Sequence, residues 1–219
     1  MDIIDNQIIL SPRDLIAELE CSHRLTLDLS VKKFGLSAPV KEPSAELQLL
    51  EKLGKEHEAK IVERLRAEGN TALIGMPAAS LAAIEKATNQ TREAIAAGVD
   101  TIIQASLFTG DFVGYADFLI LVKDEHGNPV KDDQGRYVYD PVDAKSARLE
   151  KRGAILQVAA YAHAMREMRL ATPRNIHLWL GGDKEWSWPA DDLMDLAEEF
   201  TNRVKERIQN TPEAPAQLW

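Results

Sequence analysis

The chain has 219 residues, of which 45% are hydrophobic and 28% charged, a composition typical of a globular protein with one sizeable core. No apolar run approaches the ~20 residues of a membrane-spanning helix. The N-terminus carries Asp2 and Asp5 instead of the basic region of a signal peptide. For this reason we expect no membrane partner. The single cysteine, Cys21, excludes an internal disulfide, so we expect a reducing compartment, the cytoplasm. The formal net charge of −9 argues against a protein that coats nucleic acid but permits local contact with it.

Two helices are predicted in the N-terminal part of the chain. Ser11-Pro12-Arg13-Asp14 is a helix-start signal, and the helix that it opens is expected to end near residue 33. After a loop rich in Gly and Pro, a second helix is expected at residues 44–68. His57 falls in a gap of its apolar stripe and should point inward, and Gly54 should let another backbone come close. The stripe consists of Leu50, Leu53, Ile61 and Leu65.

The remainder of the chain alternates between strand and helix patterns. We expect a short strand at 71–74, a helix at 78–97, strands at 101–108, 112–122 and 136–144, a helix at 150–169, strands at 175–180 and 186–188, and a last helix at 191–208. Thr109-Gly110-Asp111 indicates a tight hairpin, and polar residues 123–135 indicate a surface excursion. Pro141 cannot donate to a ladder, so the third strand should be irregular just before Asp143. The order predicts an α/β fold around a mixed sheet.

Two acidic positions suggest chemistry. Asp117 interrupts an apolar strand, where a carboxylate is costly unless it is paired or binds a cation. Asp143 and Lys145 are two residues apart in a strand, so their side chains should leave the same face. A carboxylate beside an ammonium can hold a metal ion and polarise a phosphoryl group. Structural explanations also exist: Asp117 could be bonded to backbone amides, and Asp143 and Lys145 could form a surface ion pair.

Three further residues have two readings each. His57 could be a ligand or a buried, hydrogen-bonded core histidine. Gln157 and Tyr161 share a helix face at i, i+4, and they could serve a site or simply form a helix flank that meets solvent.

Four short motifs together resemble the RecB-like branch of the PD-(D/E)XK nuclease superfamily, which includes the CRISPR-associated RecB-type exonucleases. They are Gly54-Lys55-Glu56-His57-Glu58 on a helix, Gly114-Tyr115-Ala116-Asp117-Phe118 and Val142-Asp143-Ala144-Lys145 on strands, and Gln157-Val158-Ala159-Ala160-Tyr161 on the next helix. Each motif is weak alone, but four in this order on these elements are specific. The likeness spans roughly residues 11–180.

The resemblance implies a restriction-endonuclease-like core: a helix, a three-strand meander, a helix and a strand around a mixed sheet, with extra N- and C-terminal helices. Residues 44–210 would be this nuclease core, with residues 78–97 as a helical insertion. Residues 1–43 would be an N-terminal helical segment packed on the core, and residues 211–219 a C-terminal tail or the start of a linker.

The resemblance also implies roles for the motif residues. His57, Asp117, Asp143 and the carbonyl of Ala144 would ligate a divalent metal, manganese or magnesium, and the imidazole favours manganese. Asp117, Asp143 and Lys145 would be catalytic, with Lys145 orienting the attacking water and the scissile phosphate. Gln157 and Tyr161 would hold the nucleic acid strand and support the metal shell.

Some relatives carry an iron–sulfur cluster on one early and three late cysteines. Cys21 resembles the early position, but a cluster needs about four thiolates, so a single cysteine does not support one. We expect a colourless protein. The chain could also be a fragment cut before such cysteines.

Between Lys145 and Arg174 basic residues outnumber acidic ones, which suggests a local track for phosphate contact. We expect Arg148, Lys151 and Arg152 to bind DNA there, although a solvated helix face is the alternative. The function that the resemblance implies is a metal-dependent DNA nuclease, an exonuclease on single-stranded or end-opened DNA in repair, recombination or CRISPR-type processing. The alternative is a catalytically silent module of this fold that binds DNA or a helicase domain or subunit.

Overall fold

The computed structural model describes residues 1–34, 44–146, 152–182 and 184–210. Its elements, in chain order, are β1 (Asp2–Ile4), β2 (Gln7–Ile9), α1 (Pro12–Phe34), α2 (Ala45–Glu68), β3 (Thr71–Leu73), α3 (Leu81–Ala96), β4 (Thr101–Phe108), β5 (Val113–Leu121), β6 (Tyr139–Lys145), α4 (Arg152–Glu167), β7 (Asn175–Leu180), β8 (Lys184–Pro189) and α5 (Asp191–Asn210). Every predicted helix and strand is present, with shifted ends, so the α/β class is confirmed. The predicted contacts of Arg148 and Lys151 and the proposed tail at 211–219 lie outside the described residues.

Six strands form one mixed sheet in the order β3-β4-β5-β6-β7-β8. β4, β5 and β6 are an antiparallel meander, and β6 and β7 run parallel because the connection between them passes through α4. β3 is parallel to β4, and β8 is antiparallel to β7 at the far edge. Pro141 pairs with Leu119 without interrupting β6, so the irregularity predicted at Pro141 is wrong.

Helices cover both faces of this sheet. On one face α4 packs across β5, β6 and β7, and α1 and α5 pack on α4. On the other face α2 contributes the buried side chains Ile61 and Leu65. The first half of α2 extends beyond the core, because Leu53 is 45% exposed. No described atom lies within 4 Å of a Cβ built on Gly54. The buried position predicted for Leu53 and the close approach predicted at Gly54 are therefore wrong.

α3 closes part of the sheet edge. Thr91 Oγ1 accepts a hydrogen bond from the backbone N–H of Ser106 in β4, and Thr88 bonds the Ser106 hydroxyl. The helix thus provides a hydrogen-bond acceptor for the part of β4 that the short β3 does not reach. No helix in the described part of the chain combines the length and apolar character needed to cross a membrane.

The N-terminal segment is more than helical. β1 and β2 form a hairpin whose turn residues, Asp5 and Asn6, both have positive φ, as a tight two-residue hairpin turn requires. The sequence analysis did not predict this hairpin. At the predicted start of α1, Asp14 accepts hydrogen bonds from the backbone N–H and hydroxyl of Ser11 and pairs with the Met1 ammonium. α1 is kinked at Cys21, whose backbone is extended.

Candidate active site

The site lies at Asp117, where β5 loses its pairing with β6 and its ladder with β4 skips one pair. The β5–β6 ladder ends at Phe118 and Val142, and beyond it the Ala144 N–H donates to the Asp117 carboxylate at 2.7 Å. On the other side, the β4–β5 register omits the pair of Gln104 and Asp117. The carboxylate therefore replaces a backbone carbonyl, and the two strands diverge around it.

Gln104 has a backbone conformation that explains this break. Its φ of 52° lies in the left-handed region, which costs a non-glycine residue roughly 1–2 kcal/mol. The conformation turns its side chain toward α2, where Nε2 lies 3.4 Å from Glu58 Oε1. Strain of this kind persists where surrounding contacts enforce it, and such residues cluster at functional sites.

Asp143 is fully buried and incompletely bonded. Its Oδ1 accepts a hydrogen bond from Gln157 Nε2 at 3.0 Å. Its Oδ2 forms an ion pair with Lys145 Nζ at 2.8 Å and accepts no regular hydrogen bond from the described residues. Asp143 and Lys145 thus leave the same face of β6, as the alternation predicts, and their pair is only partly exposed.

A second buried aspartate on β6 shows what a structural carboxylate looks like here. Asp140 accepts hydrogen bonds from the backbone N–H groups of Arg174 and Asn175, and it pairs with His177 Nε2 at 3.2 Å. These donors tie β6 to the start of β7. Asp143 accepts no such backbone hydrogen bonds, and its partners are the side chains of Gln157 and Lys145.

His57 also has a buried polar atom without a hydrogen bond. Among the described residues, two buried side-chain nitrogen or oxygen atoms have no hydrogen-bond partner: His57 Nε2 and Asp143 Oδ2. His57 does point inward from α2, as predicted, but it is not the hydrogen-bonded core histidine of the structural alternative. An unsatisfied buried polar atom costs about 1–3 kcal/mol, and both atoms belong to predicted metal ligands.

Gln157 and Tyr161 belong to the site rather than to a solvent-facing helix flank. Gln157 Nε2 donates to Tyr161 Oη at 2.7 Å as well as to Asp143. Tyr161 is 2% exposed, lines the cavity at Asp117 and is placed to fix Gln157. Its ring lies against Gly114, where an added Cβ would stand 2.7 Å from Tyr161 Cδ1.

The two carboxyl groups influence each other. Burial, followed by the charge of Asp143, raises the pKa of Asp117 to about 7. Burial also raises the pKa of Asp143, while the Lys145 ammonium opposes that rise. Because Lys145 favours the ionised form of Asp143, the proton that the pair holds near neutral pH belongs on Asp117. Burial raises the pKa of Tyr161 well above its ordinary value, so the phenol stays protonated.

A cavity of about 440 Å³ opens at Asp117 and Gln157. Its wall includes Arg13 from the start of α1, Glu58 from α2 and the strained Gln104, none of which the sequence analysis assigned to the site. Glu58 could have been suspected as the neighbour of His57, and Gln104 as a polar residue in an apolar strand. No local pattern links Arg13 to β5, because only the tertiary fold brings them together.

The predicted metal ligands and the predicted basic residues are not all brought together. No group of three or more His, Cys, Asp or Glu side chains among the described residues is arranged to hold a metal ion, so His57, Asp117 and Asp143 do not form a closed ligand set. Arg152 is exposed at the start of α4. At the other end of α4, Arg166 pairs with Asp195 and Glu198 of α5. The predicted basic track therefore does not continue along this helix.

In comparisons with known proteins, no family model matches the chain and no curated protein matches it in sequence.

Proposed function

We propose that this chain is a metal-dependent nuclease that hydrolyses DNA phosphodiester bonds, with the restriction-endonuclease-like core of the RecB-like branch. One observation carries the proposal. His57 Nε2 has no hydrogen-bond partner among the described residues, Asp143 Oδ2 has only its ion pair with Lys145, and both atoms belong to predicted metal ligands. The divergence of β5 and β6 supports it, because it leaves the Asp117 carboxylate beside Asp143 at one break in the sheet.

The donor chemistry fits a hard divalent cation. Asp117 and Asp143 offer carboxylate oxygens, Ala144 a backbone carbonyl and His57 an imidazole nitrogen, a set that suits manganese or magnesium. Such an ion, when bound, acts as a Lewis acid on a phosphoryl oxygen and lowers the pKa of a coordinated water. Asp117 has to release its proton and Asp143 has to exchange its contact with Lys145 before both carboxylates can serve as ligands.

The remaining residues support phosphodiester hydrolysis. Lys145 is 38% exposed at its side chain, so its ammonium can turn from Asp143 toward a phosphate and stabilise the charge that develops there. Gln157 holds Asp143 Oδ1 and is itself fixed by Tyr161. Arg13 adds a cation to the wall of the cavity.

The test is cleavage of end-labelled single-stranded and double-stranded DNA in manganese, magnesium or chelator. We expect cleavage in manganese by the wild type and none in chelator. Asp143→Asn should abolish it, because the amide removes the buried negative charge while keeping the shape of the side chain. Asp133→Asn, an exposed loop aspartate, is the matched control and should cut as fast as the wild type.

Two results would contradict the proposal. The first is full activity of Asp143→Asn. The second is metal-independent or absent cleavage by a folded wild type on either DNA form. If the protein binds DNA without cutting it, the silent binding module, with a helicase as its partner, is the better description.

A further inference from the structure

The edge strand β8 has two chemically different faces. Lys184, Trp186 and Trp188 alternate onto one face, and Glu185 and Ser187 onto the other. Glu185 is paired with Arg64 of α2, which identifies its face as the α2 side of the sheet. The face with the two tryptophans is therefore the side on which α4 packs.

This tryptophan face is in register with the candidate active site. Trp186 lies opposite Leu178 of β7, which lies opposite Asp143 of β6. By the same pairing Lys184 is aligned with Lys145. Neighbouring strands are about 4.8 Å apart, so the two spacings across β7 put the backbone of Trp186 roughly 10 Å from that of Asp143.

The two indole rings form a parallel stack that reaches solvent. Their centroids are 6.2 Å apart and their planes differ by 13°. Trp188 is partly buried against the main core, whereas Trp186 is 45% exposed. Among the exposed large hydrophobic side chains of the described ranges, Trp186 is the one aromatic residue. An exposed aromatic ring that is oriented by a partly buried, parallel neighbour is suited to stack on another planar group.

We propose that Lys184, Trp186 and Trp188 form a stacking platform for the bases of a single nucleic acid strand whose phosphates pass toward Lys145. The inference rests on the proposed function for the direction of the strand. A cation beside stacked aromatic rings is the combination that binds single strands without sequence preference. Duplex DNA does not fit as well, because its bases are already stacked and paired.

The test measures binding of a fluorescein-labelled 20-mer oligo(dT) in chelator, so that neither metal nor hydrolysis is involved. Trp186→Ala should weaken binding by roughly 5- to 100-fold, the range for losing one base–aromatic stack. Trp186→Phe should retain most of the affinity because it keeps an aromatic ring. Leu196→Ala, which removes an exposed apolar side chain on α5, is the matched control and should bind as the wild type does.

Two further probes separate stacking from charge. An abasic 20-mer should bind to the wild type as weakly as oligo(dT) binds to Trp186→Ala, since it has phosphates but no bases. Lys184→Ala should reduce the slope of log affinity against log salt concentration by about 1, the value for one lost phosphate contact. Oligo(U) of the same length distinguishes RNA from DNA as the preferred strand, and either preference supports the platform.

The proposal is overturned if Trp186→Ala binds oligo(dT) as tightly as the folded wild type, or if the wild type does not bind it. It is also overturned if Trp186→Ala converts a dimer to a monomer in sedimentation without changing oligo(dT) affinity, because the face would then be a contact between two copies. Cleavage activity is measured separately. If the wild type cleaves DNA but Trp186→Ala binds oligo(dT) with unchanged affinity, only the stacking platform is refuted. If the wild type binds oligo(dT) through Trp186 but does not cleave DNA, only the nuclease proposal is refuted.

Discussion

At the scale of single residues, the two buried aspartates of β6 differ in their partners. Asp140 accepts from two backbone N–H groups, whereas the partners of Asp143 are the side chains of Gln157 and Lys145. A carboxylate that only secured the fold would be expected to collect donors as Asp140 does. We therefore assign Asp140 to the joint of β6 and β7, and Asp143 to the site.

Asp117 should make stability depend on pH in a specific window. Its carboxyl has a pKa of about 7 in the folded protein, well above its ordinary value of 3.8. Between these values the folded state holds a proton that the unfolded state has released, so the free energy of unfolding falls as the pH rises from about 4 to about 7. The fall is at most about 4 kcal/mol, and less because water reaches part of the side chain.

Asp117→Asn tests this directly. The neutral amide cannot ionise, yet its oxygen can still accept the hydrogen bond from the Ala144 N–H. The variant should therefore be more stable than the wild type at pH 8, with the difference disappearing near pH 4, as measured by urea unfolding at both pH values. Asp133→Asn should match the wild type throughout. Equal stability of Asp117→Asn and wild type at pH 8 would show that burial does not raise the pKa of the Asp117 carboxyl.

Lys145 should contribute to cleavage but not to metal retention. Lys145→Ala removes the ammonium 2.8 Å from Asp143 Oδ2, and cleavage should fall by about 10²-fold or more, the scale for one preorganised charge. Manganese affinity should persist or increase, because a competing positive charge is gone. DNA affinity should decrease only modestly. Lys86→Ala on α3, an exposed lysine, is the control, and unchanged cleavage by Lys145→Ala would remove Lys145 from the catalytic group.

At the scale of elements, α4 and β5 are fitted to each other through Gly114. Gly114→Ala should push the Tyr161 ring away and disturb the bond from Gln157 to Asp143, at a cost of about 1–3 kcal/mol in unfolding free energy. The cost should be smaller in a Tyr161→Leu background, which a double-mutant cycle by urea unfolding can measure. Cleavage by Gly114→Ala should fall as well.

Gly54→Ala is the matched control for this substitution. Gly54 lies in the middle of α2 with open space around it in the described structure, so alanine should stabilise the protein by roughly 0.5–1 kcal/mol and leave cleavage unchanged. Additive effects of Gly114→Ala and Tyr161→Leu would contradict the steric explanation.

The same elements show why the sequence predicted some features and not others. Alternation in Asp143-Ala144-Lys145 is local, so the shared face of Asp143 and Lys145 could be predicted from spacing. The left-handed backbone of Gln104 could not, because its contact with Glu58 on α2 depends on the tertiary fold. The exposure of Leu53 was missed for a related reason: helical periodicity shows which residues share a stripe but not how far along the helix the core extends.

At the scale of the whole molecule, an acidic protein has to engage a polyanion through a restricted surface. The net charge is −9, and the arginine at the far end of α4 is neutralised by α5. Among the cations of the described residues, Arg13 lines the cavity, Lys145 pairs with Asp143, and Lys184 is aligned with Lys145 across β7.

The central claim is that the break in the sheet at Asp117 and Asp143 is a divalent metal site, and manganese titration by calorimetry tests it most directly. His57→Ala and Asp143→Asn should each weaken binding by at least about tenfold, since each removes a donor. His126→Ala and Asp133→Asn, both exposed, should not. Below about pH 7 the affinity of the wild type should decrease by about tenfold for each pH unit, because the proton on Asp117 competes with the ion.

One outcome would contradict the account. If the folded wild type takes up no manganese at pH 8, or if His57→Ala and Asp143→Asn both bind it as tightly as the wild type, these two buried atoms are not metal ligands. The account predicts instead one site that requires both residues.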